Sequence, residues 1–155
     1  MRLERLNRWV PDAVWIERGE DDSALARRVR ARLSATPVHV VDDLGVAEPD
    51  DFATGKRRLV VQRHRGTFLQ HCPAGTTGMV CCNYLVMSFA SNCPFDCSYC
   101  FLQDYLTNNP AVKVFTNVAD MTPDQWSEVI DTNLTGVFNA CRAALPHLTN
   151  RGGGY

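Results

Sequence analysis

The chain has 155 residues, of which 45% are hydrophobic, and its formal net charge is −1. This length suits an ordinary domain with a packed core, and the charge argues against a strongly basic nucleic-acid-binding module. The charge is uneven, because thirteen of the sixteen Lys and Arg residues lie between Arg2 and Arg65, with eleven acidic residues among them. We interpret these bases as solvated helix faces, with a DNA-facing patch as the alternative.

The beginning of the sequence is charged throughout, so we expect no signal peptide, and no apolar run is long enough to cross a membrane. The seven cysteines are therefore expected to be reduced thiols of a cytoplasmic protein. The spacing of Cys72, Cys81 and Cys82 matches no ligand pattern, and we expect these three to be structural, with a second cluster as the alternative.

The first part of the chain predicts a β-α-β arrangement. Three short runs have the composition of strands: residues 13–17, 38–41 and 59–62. Residues 22–33 follow helical periodicity, with Asp21 or Asp22 as the expected N-cap. Residues 45–55 are acidic and contain Pro and Gly, which is typical of a loop.

The most informative stretch is residues 92–100, NCPFDCSYC, which we call the cysteine loop. It places Cys93, Cys97 and Cys100 at the spacing C-x3-C-x2-C, with Tyr99 just before the last of them. Cysteine thiolates hold iron–sulfur clusters, and three close ligands leave one iron open to a substrate. A zinc site that lacks its fourth ligand, or a purely structural role, is the alternative.

This pattern resembles the signature of radical S-adenosylmethionine (radical SAM) enzymes, and residues 68–117 are similar to the spore photoproduct lyase family in particular. A weaker resemblance covers about residues 10–118. It implies that Cys93, Cys97 and Cys100 hold a [4Fe–4S] cluster, that S-adenosyl-L-methionine binds at the open iron, and that Tyr99 lies near its adenine. It assigns no further catalytic residue.

The same resemblance implies a lyase that repairs thymine dimer lesions in DNA through a 5′-deoxyadenosyl radical. The implied partners are DNA and an electron donor such as a flavodoxin or ferredoxin. In the fold of that family, residues 83–89 would form the first strand of a (β/α) barrel, deliver the cysteine loop at its C-terminal end, and be followed by a second strand at residues 112–116. We expect a truncated barrel, and therefore doubtful activity.

The last part of the chain predicts a long amphipathic helix. Residues 122–125 have the form of a capping box with proline at the first helical position, and residues 152–154 are three glycines that would end the helix. Residues 122–147 resemble the interface helix of short-chain dehydrogenase/reductases, and Asn133 matches the asparagine of their catalytic tetrad. This resemblance covers about residues 121–155.

Other parts that such a reductase needs do not occur in the sequence, which has no Tyr-x-x-x-Lys pair and no glycine-rich dinucleotide turn. A fragment of an NAD(P)-dependent reductase is therefore the second hypothesis. A non-catalytic fusion product that self-associates through the helix at residues 122–149 is the third.

We therefore predict an α/β fold made of three regions. These are a small N-terminal α/β region at residues 1–82, the start of a radical SAM core with the cysteine loop at 83–120, and a helical fragment like that of a short-chain dehydrogenase at 121–155.

Overall fold

The computed structural model describes residues 9–44, 51–72, 84–95, 99–101 and 110–150. These residues form two compact units. The first contains the described parts of Met1–Gly66 and Ser88–Ala119, and the second contains those of Thr67–Met87 and Asp120–Tyr155. The predicted α/β class is confirmed, since the fold combines a mostly parallel sheet with a long helix near the end of the chain.

The strands, in chain order, are β1 (Ala13–Glu17), β2 (Val38–Val41), β3 (Arg58–Gln62), β4 (Leu69–His71), β5 (Leu85–Met87), β6 (Ala90–Ser91) and β7 (Val112–Phe115). The α-helices are α1 (Ala24–Arg32), α2 (Phe52–Lys56), α3 (Pro123–Ile130) and α4 (Gly136–Asn150). A 3₁₀ turn spans Thr116–Asp120, and a π-helical segment spans Asp131–Thr135. None of the described helices is long and apolar enough to cross a membrane.

The first unit contains a five-stranded sheet of described strands in the order β2-β1-β3-β7-β6. Four neighbouring strands, β2, β1, β3 and β7, are parallel. Strand β6, at one edge of the sheet, runs antiparallel to β7. The predicted β-α-β arrangement is present as β1, α1 and β2. Because consecutive parallel strands need a crossover connection, α1 covers one face of the sheet.

The core of this unit follows from the alternation of side chains along β1. Val14 and Ile16 point to the face covered by α1, where they pack with Val61 and all three are fully buried. Trp15 points to the opposite face, next to Val60. The period of two along a strand places successive side chains on opposite faces, so the alternating sequence specifies which face receives the helix.

Helix α1 begins at Ala24, and its N-cap is Ser23 rather than the expected Asp21 or Asp22. The Ser23 hydroxyl accepts a hydrogen bond from the Ala26 N–H at 3.2 Å. The Asp21 carboxylate instead accepts from the Gly19 N–H at 3.1 Å, in a turn where Gly19 has a φ of 93°. The serine oxygen accepts from an N–H group of the first helical turn that has no partner within the helix, and Asp21 takes part in the preceding turn instead.

The expectation of a loop at residues 45–55 is wrong for its described end, because α2 begins at Phe52. Asp51 is the N-cap of this short helix, and its carboxylate accepts from the Thr54 N–H at 2.8 Å. An aspartate cap supplies an acceptor for N–H groups that have no partner within the helix. Residues 45–50 lie outside the described part of the chain.

In the second unit, β4 and β5 form an antiparallel pair, and α3 begins with the predicted capping box. The Thr122 hydroxyl accepts from the Gln125 N–H at 3.2 Å, and the Gln125 side-chain oxygen accepts from the Thr122 N–H at 3.0 Å. Pro123 occupies the first turn as predicted. The glycines expected to end the helix, at residues 152–154, lie outside the described residues.

Residues 83–89 differ from the barrel strand expected there. Their described part forms β5, which pairs with β4 in the second unit, and the short strand β6 follows separately in the first unit. The strand expected at 112–116 is present as β7, but it extends the sheet of β1 and β3. The composition of a strand does not specify which strand it pairs with, because such a segment can pack on any half-buried pleated surface.

Candidate metal centre

The cysteine loop follows β6. Because β6 is antiparallel to β7, its end lies at the edge of the sheet where β7 and its parallel neighbour β3 begin. The expected position, at the C-terminal end of a parallel barrel strand, is therefore not the one observed. The outermost strand β6 runs opposite to the other four strands. The loop that follows it therefore lies where the parallel strands begin, not where they end.

The start of the cysteine loop is fixed by Asn92. Its φ is 67°, in the left-handed region that asparagine tolerates better than most side chains. Its side-chain Nδ2 donates to the backbone oxygen of Ala111 at 2.7 Å, and Ala111 is buried just before β7. The turn that leads into Cys93 is thereby attached to the sheet.

A second attachment lies on the other side of Cys93. The Nζ of Lys56, at the end of α2, donates to the backbone oxygen of Phe95. Lys56 is only 4% exposed, so its ammonium group acts from inside the unit. The backbone on each side of Cys93 therefore hydrogen-bonds to a different part of the fold.

The structure describes two of the three predicted ligands. Cys93 is exposed, Cys100 is half-buried, and neither is part of a disulfide. Cys97 lies outside the described residues. In the described part of the chain, which leaves out Cys97, no three Cys, His, Asp or Glu side chains form a metal-binding group.

Three aromatic residues lie within two positions of the described cysteines in the sequence. Tyr99, the predicted contact of the cofactor, is 88% exposed, and the neighbouring rings of Phe95 and Phe101 are 58% and 71% exposed. Exposed aromatic residues close in sequence to the cysteines fit a site that receives a planar organic group next to a metal. The donor set of thiols also fits an iron–sulfur cluster, whose ligands are cysteine thiolates.

Several basic residues of the first unit are paired with acids. Five arginines have carboxylate partners within 4.0 Å: Arg18 with Asp42, Arg27 with Asp22, Arg57 with Asp12, Arg63 with Glu20, and Arg65 with Glu17. The interpretation of the bases as solvated helix faces stays a prediction, and so does the alternative of a DNA-facing patch.

The pKa values of these groups follow from the same pairs. A hydrogen bond from Arg57 lowers the pKa of Asp12 below its usual 3.8. A hydrogen bond to Asp42 raises the pKa of Arg18 above its usual value. The pKa of the capping residue Asp51 is lowered mainly by its hydrogen bonds from Thr54.

Two cavities lie away from the cysteine loop. An apolar cavity of about 440 Å³ lies between the first turn of α1 and the end of β7, with Arg28 as its charged lining residue. A smaller one of about 240 Å³ lies at the ends of β1 and β3, beside Glu17 and Arg65. Both are at the edge where the parallel strands end, and neither is lined by a residue of the cysteine loop.

Asn133, the residue matched to a reductase tetrad, lies in the π-helical segment of the second unit. Its Oδ1 accepts from the Leu85 N–H at 2.9 Å, and its Nδ2 donates to the Leu85 oxygen at 2.7 Å. The amide therefore continues the backbone pairing of β5 as a strand would. In this arrangement its functional groups hold the helix to the hairpin.

Sequence reasoning missed Asn92 and Lys56 as parts of the site. Asn92 directly precedes Cys93, and the tolerance of asparagine for positive φ was a usable signal. Lys56 had no such signal, because it lies 39 residues from Phe95 in sequence. The pairing of β3 with β7 brings the two regions together.

The family model for short chain dehydrogenase matches residues 103–155. Among curated proteins, the chain is 45% identical over 51 residues to acetoacetyl-CoA reductase of Rhizobium meliloti (strain 1021), which covers 33% of this chain and 21% of that protein. It is 55% identical over 42 residues to a hexahydroindene-carboxyl-CoA reductase of Mycobacterium tuberculosis, covering 27% of this chain and 16% of that one.

Most of the chain is similar in fold to a different protein. Spore photoproduct lyase complexed with dinucleoside spore photoproduct superimposes with a TM-score of 0.57 at 18% identity, covering 79% of this chain and 36% of that one. A variant of that lyase with bound AdoMet and the same dinucleoside gives a TM-score of 0.59 at 20% identity, with the same coverage. Both resemblances inferred from the sequence are confirmed. At these identities the likeness to the lyase concerns the fold, and the chain spans only about a third of its length.

Proposed function

We propose that this chain is a radical SAM iron–sulfur protein of the spore photoproduct lyase type, in which Cys93, Cys97 and Cys100 bind a [4Fe–4S] cluster. The observation that carries the proposal is the attachment of a C-x3-C-x2-C loop to a lyase-like fold by hydrogen bonds on both sides of its first cysteine. A loop that served only as a connection would not need the left-handed backbone conformation of Asn92, and it would not need a buried lysine bonded to it.

The residues of the chain have separate tasks in this proposal. The three thiolates bind the metal, and Tyr99 offers an exposed aromatic face to the adenine of S-adenosyl-L-methionine. Asn92 orients Cys93 through the Ala111 carbonyl. When bound, a cluster of this class supplies the electron that cleaves S-adenosyl-L-methionine and starts radical chemistry, while the protein positions and shields the reactants.

The proposed substrate is a thymine dimer lesion in DNA. A solved lyase with a similar fold carries a dinucleoside spore photoproduct, and a ligand of that class is the reasonable first substrate for this chain. The proposed electron donor is a flavodoxin or ferredoxin, and the proposed location is the cytoplasm, where the thiols of Cys93 and Cys100 stay reduced. The chain spans 36% of the length of that lyase. The repair activity is therefore proposed for a protein that contains this fold, not for these residues alone.

The test is anaerobic reconstitution with iron and sulfide, followed by measurement of both per chain. We expect about four irons for the wild type, and a large loss of iron for Cys93→Ala, Cys97→Ala and Cys100→Ala. Cys141→Ala is the matched control, because Cys141 is an exposed thiol on α4 in the second unit. Equal iron in all four variants would contradict the assignment of the ligands, and zinc retained in place of iron would favour the zinc alternative.

A second candidate function rests on the family match over residues 103–155. A fragment of an NAD(P)-dependent reductase would bind a nicotinamide nucleotide without metal. The position of Asn133 in a π-helical segment favours this candidate, since such segments are frequent at functional sites. Its amide, however, is occupied by the backbone of Leu85. Calorimetric titration with NADH and NADPH distinguishes the two candidates.

We also propose that the helix at residues 122–149 mediates self-association. All residues from Leu134 to Thr149 are exposed. The larger apolar ones lie at helical spacing on one stripe: Leu134, Val137, Phe138, Cys141, Leu145 and Leu148. A second copy of the same stripe would remove this apolar surface from water.

A further inference from the structure

A buried positive charge lies against the cysteine loop. Lys56 is 4% exposed, and its ammonium group donates to the carbonyl of Phe95, which lies midway between Cys93 and Cys97 in the sequence. The Nζ also lies 5.0 Å from the centroid of the Phe52 ring. Lysine is among the residues least often fully buried, so this position calls for a reason.

The lysine is held in place from several directions. Its backbone oxygen accepts from the Trp9 indole N–H at 3.1 Å, and the short helix that carries it is capped by Asp51. Phe52, one turn earlier on α2, packs its ring against the ammonium group. A side chain fixed in this way loses little further freedom when it binds the loop, so its hydrogen bond is effective in positioning it.

The topology explains why this lysine reaches the loop. Lys56 lies two residues before Arg58, where β3 begins, and β3 pairs with β7 through Leu59 and Val112. The cysteine loop begins beside the residue that precedes β7, since Asn92 bonds to Ala111. Both segments therefore lie at the edge where β3 and β7 begin.

We propose that Lys56 is a positioning residue for the metal centre, and this rests on the proposed function. Its hydrogen bond fixes the backbone between the first two ligands, and its charge lies beside a loop that carries three thiolates. Thiolate-ligated clusters have a net negative charge that grows on reduction, and nearby charge is one of the factors that set their potential. Lys56 thus favours metal binding and, more strongly, the reduced state.

The test compares Lys56→Met with the wild type after the same reconstitution. Methionine keeps most of the length and the apolar stem of lysine while it removes the donor and the charge. We expect iron to be retained 10- to 100-fold less tightly against a chelator, the range typical for loss of an outer-sphere partner. We also expect a more negative midpoint potential.

Lys56→Arg keeps both charge and donor, and it should restore most of the retention and of the potential. Lys113→Met is the matched control, because Lys113 is the other lysine of the sequence and lies within β7. It should behave like the wild type in both measurements. Circular dichroism of the metal-free variants separates an effect on the metal from an effect on the fold.

Iron retention and potential equal to those of the wild type in Lys56→Met would overturn the role of Lys56 and leave the proposed function intact. If Lys56→Met does not fold, Lys56→Gln decides in its place, because it removes the charge but stays polar, and an unchanged potential in that variant would overturn the proposal. A wild type that binds no iron would instead overturn the proposed function, and this inference with it.

Discussion

Two side chains far apart in sequence hold the segment around Cys93. Asn92 adopts a backbone conformation that few residues tolerate, and its amide bonds to the sheet, while Lys56 holds the carbonyl of Phe95. A residue in the left-handed region is kept there by its surroundings and is enriched at functional sites. The backbone conformation of Asn92 thus helps to set the direction in which the chain enters Cys93.

At the same edge of the sheet, Asp12 and Arg57 form an exposed ion pair that makes the stability of the fold depend on pH. The Arg57 guanidinium lowers the pKa of Asp12 in the folded state below 3.8. A carboxylate with a lowered pKa stabilises the fold at pH values above its unfolded pKa. This contribution is lost as the pH falls through the lower, folded value.

We therefore predict that Asp12→Asn lowers the melting temperature near neutral pH, and that its difference from the wild type disappears below the folded pKa of Asp12. Thermal unfolding as a function of pH checks this. In Arg57→Gln, carboxyl NMR should show the titration of Asp12 moving up toward 3.8. A midpoint that stays low in that variant would show that Arg57 is not the cause.

The sequence indicated the proposed ligands but not the residues that hold their loop. The spacing of Cys93, Cys97 and Cys100 is local, so a motif can reveal it. The contact between Lys56 and Phe95 depends on which strands pair, and strand pairing is a long-range property that no local pattern specifies.

Among the secondary-structure elements, the junction of the π-helical segment with β5 has the clearest energetic consequence. Asn133 makes two hydrogen bonds to the Leu85 backbone, and these link α3 and α4 to the β4–β5 hairpin within the second unit. A two-stranded hairpin is marginal on its own, so such links matter.

We predict that Asn133→Ala lowers the free energy of unfolding by about 2 kcal/mol, because two hydrogen bonds are lost and two backbone groups of Leu85 lose their partner. Chemical denaturation followed by circular dichroism measures the change. Asn139→Ala is the control on the exposed surface of α4, where we expect a change within about 0.5 kcal/mol. Equal effects of the two substitutions would show that the hydrogen bonds of Asn133 carry no special weight.

Element boundaries were predictable where the capping chemistry is explicit. The Thr122–Gln125 capping box is formed as its sequence indicates, because both partners lie within one turn. The start of α1 was misplaced because three candidate caps, Asp21, Asp22 and Ser23, are adjacent. The turn at Gly19 engages Asp21, so the choice of N-cap depends on this turn.

At the scale of the whole molecule, the chain resembles two families in overlapping parts. The lyase-like fold covers 79% of the chain, and the short chain dehydrogenase match covers residues 103–155. Strand β7 lies inside the dehydrogenase match and is also part of the sheet next to the cysteine loop. The dehydrogenase match therefore extends into the first unit. The domain boundary predicted near residue 120 stays a prediction.

The exposed stripe on α4 predicts an association that depends on concentration. We expect a larger apparent mass at high protein concentration in size-exclusion chromatography with light scattering. Leu145→Glu should weaken the association about tenfold or more, because burial of a leucine side chain is lost and a charge is introduced. Ala143→Glu, on the opposite face of the exposed helix, is the control. Identical behaviour of both variants would argue against the stripe.

The central claim, that the cysteine loop holds an iron–sulfur cluster able to bind S-adenosyl-L-methionine, is tested most directly by electron paramagnetic resonance. The reconstituted, reduced wild type is measured with and without S-adenosyl-L-methionine. We predict the signal of a reduced [4Fe–4S] cluster whose shape changes when S-adenosyl-L-methionine is added. No cluster signal, or one unchanged at saturating S-adenosyl-L-methionine, would contradict the claim.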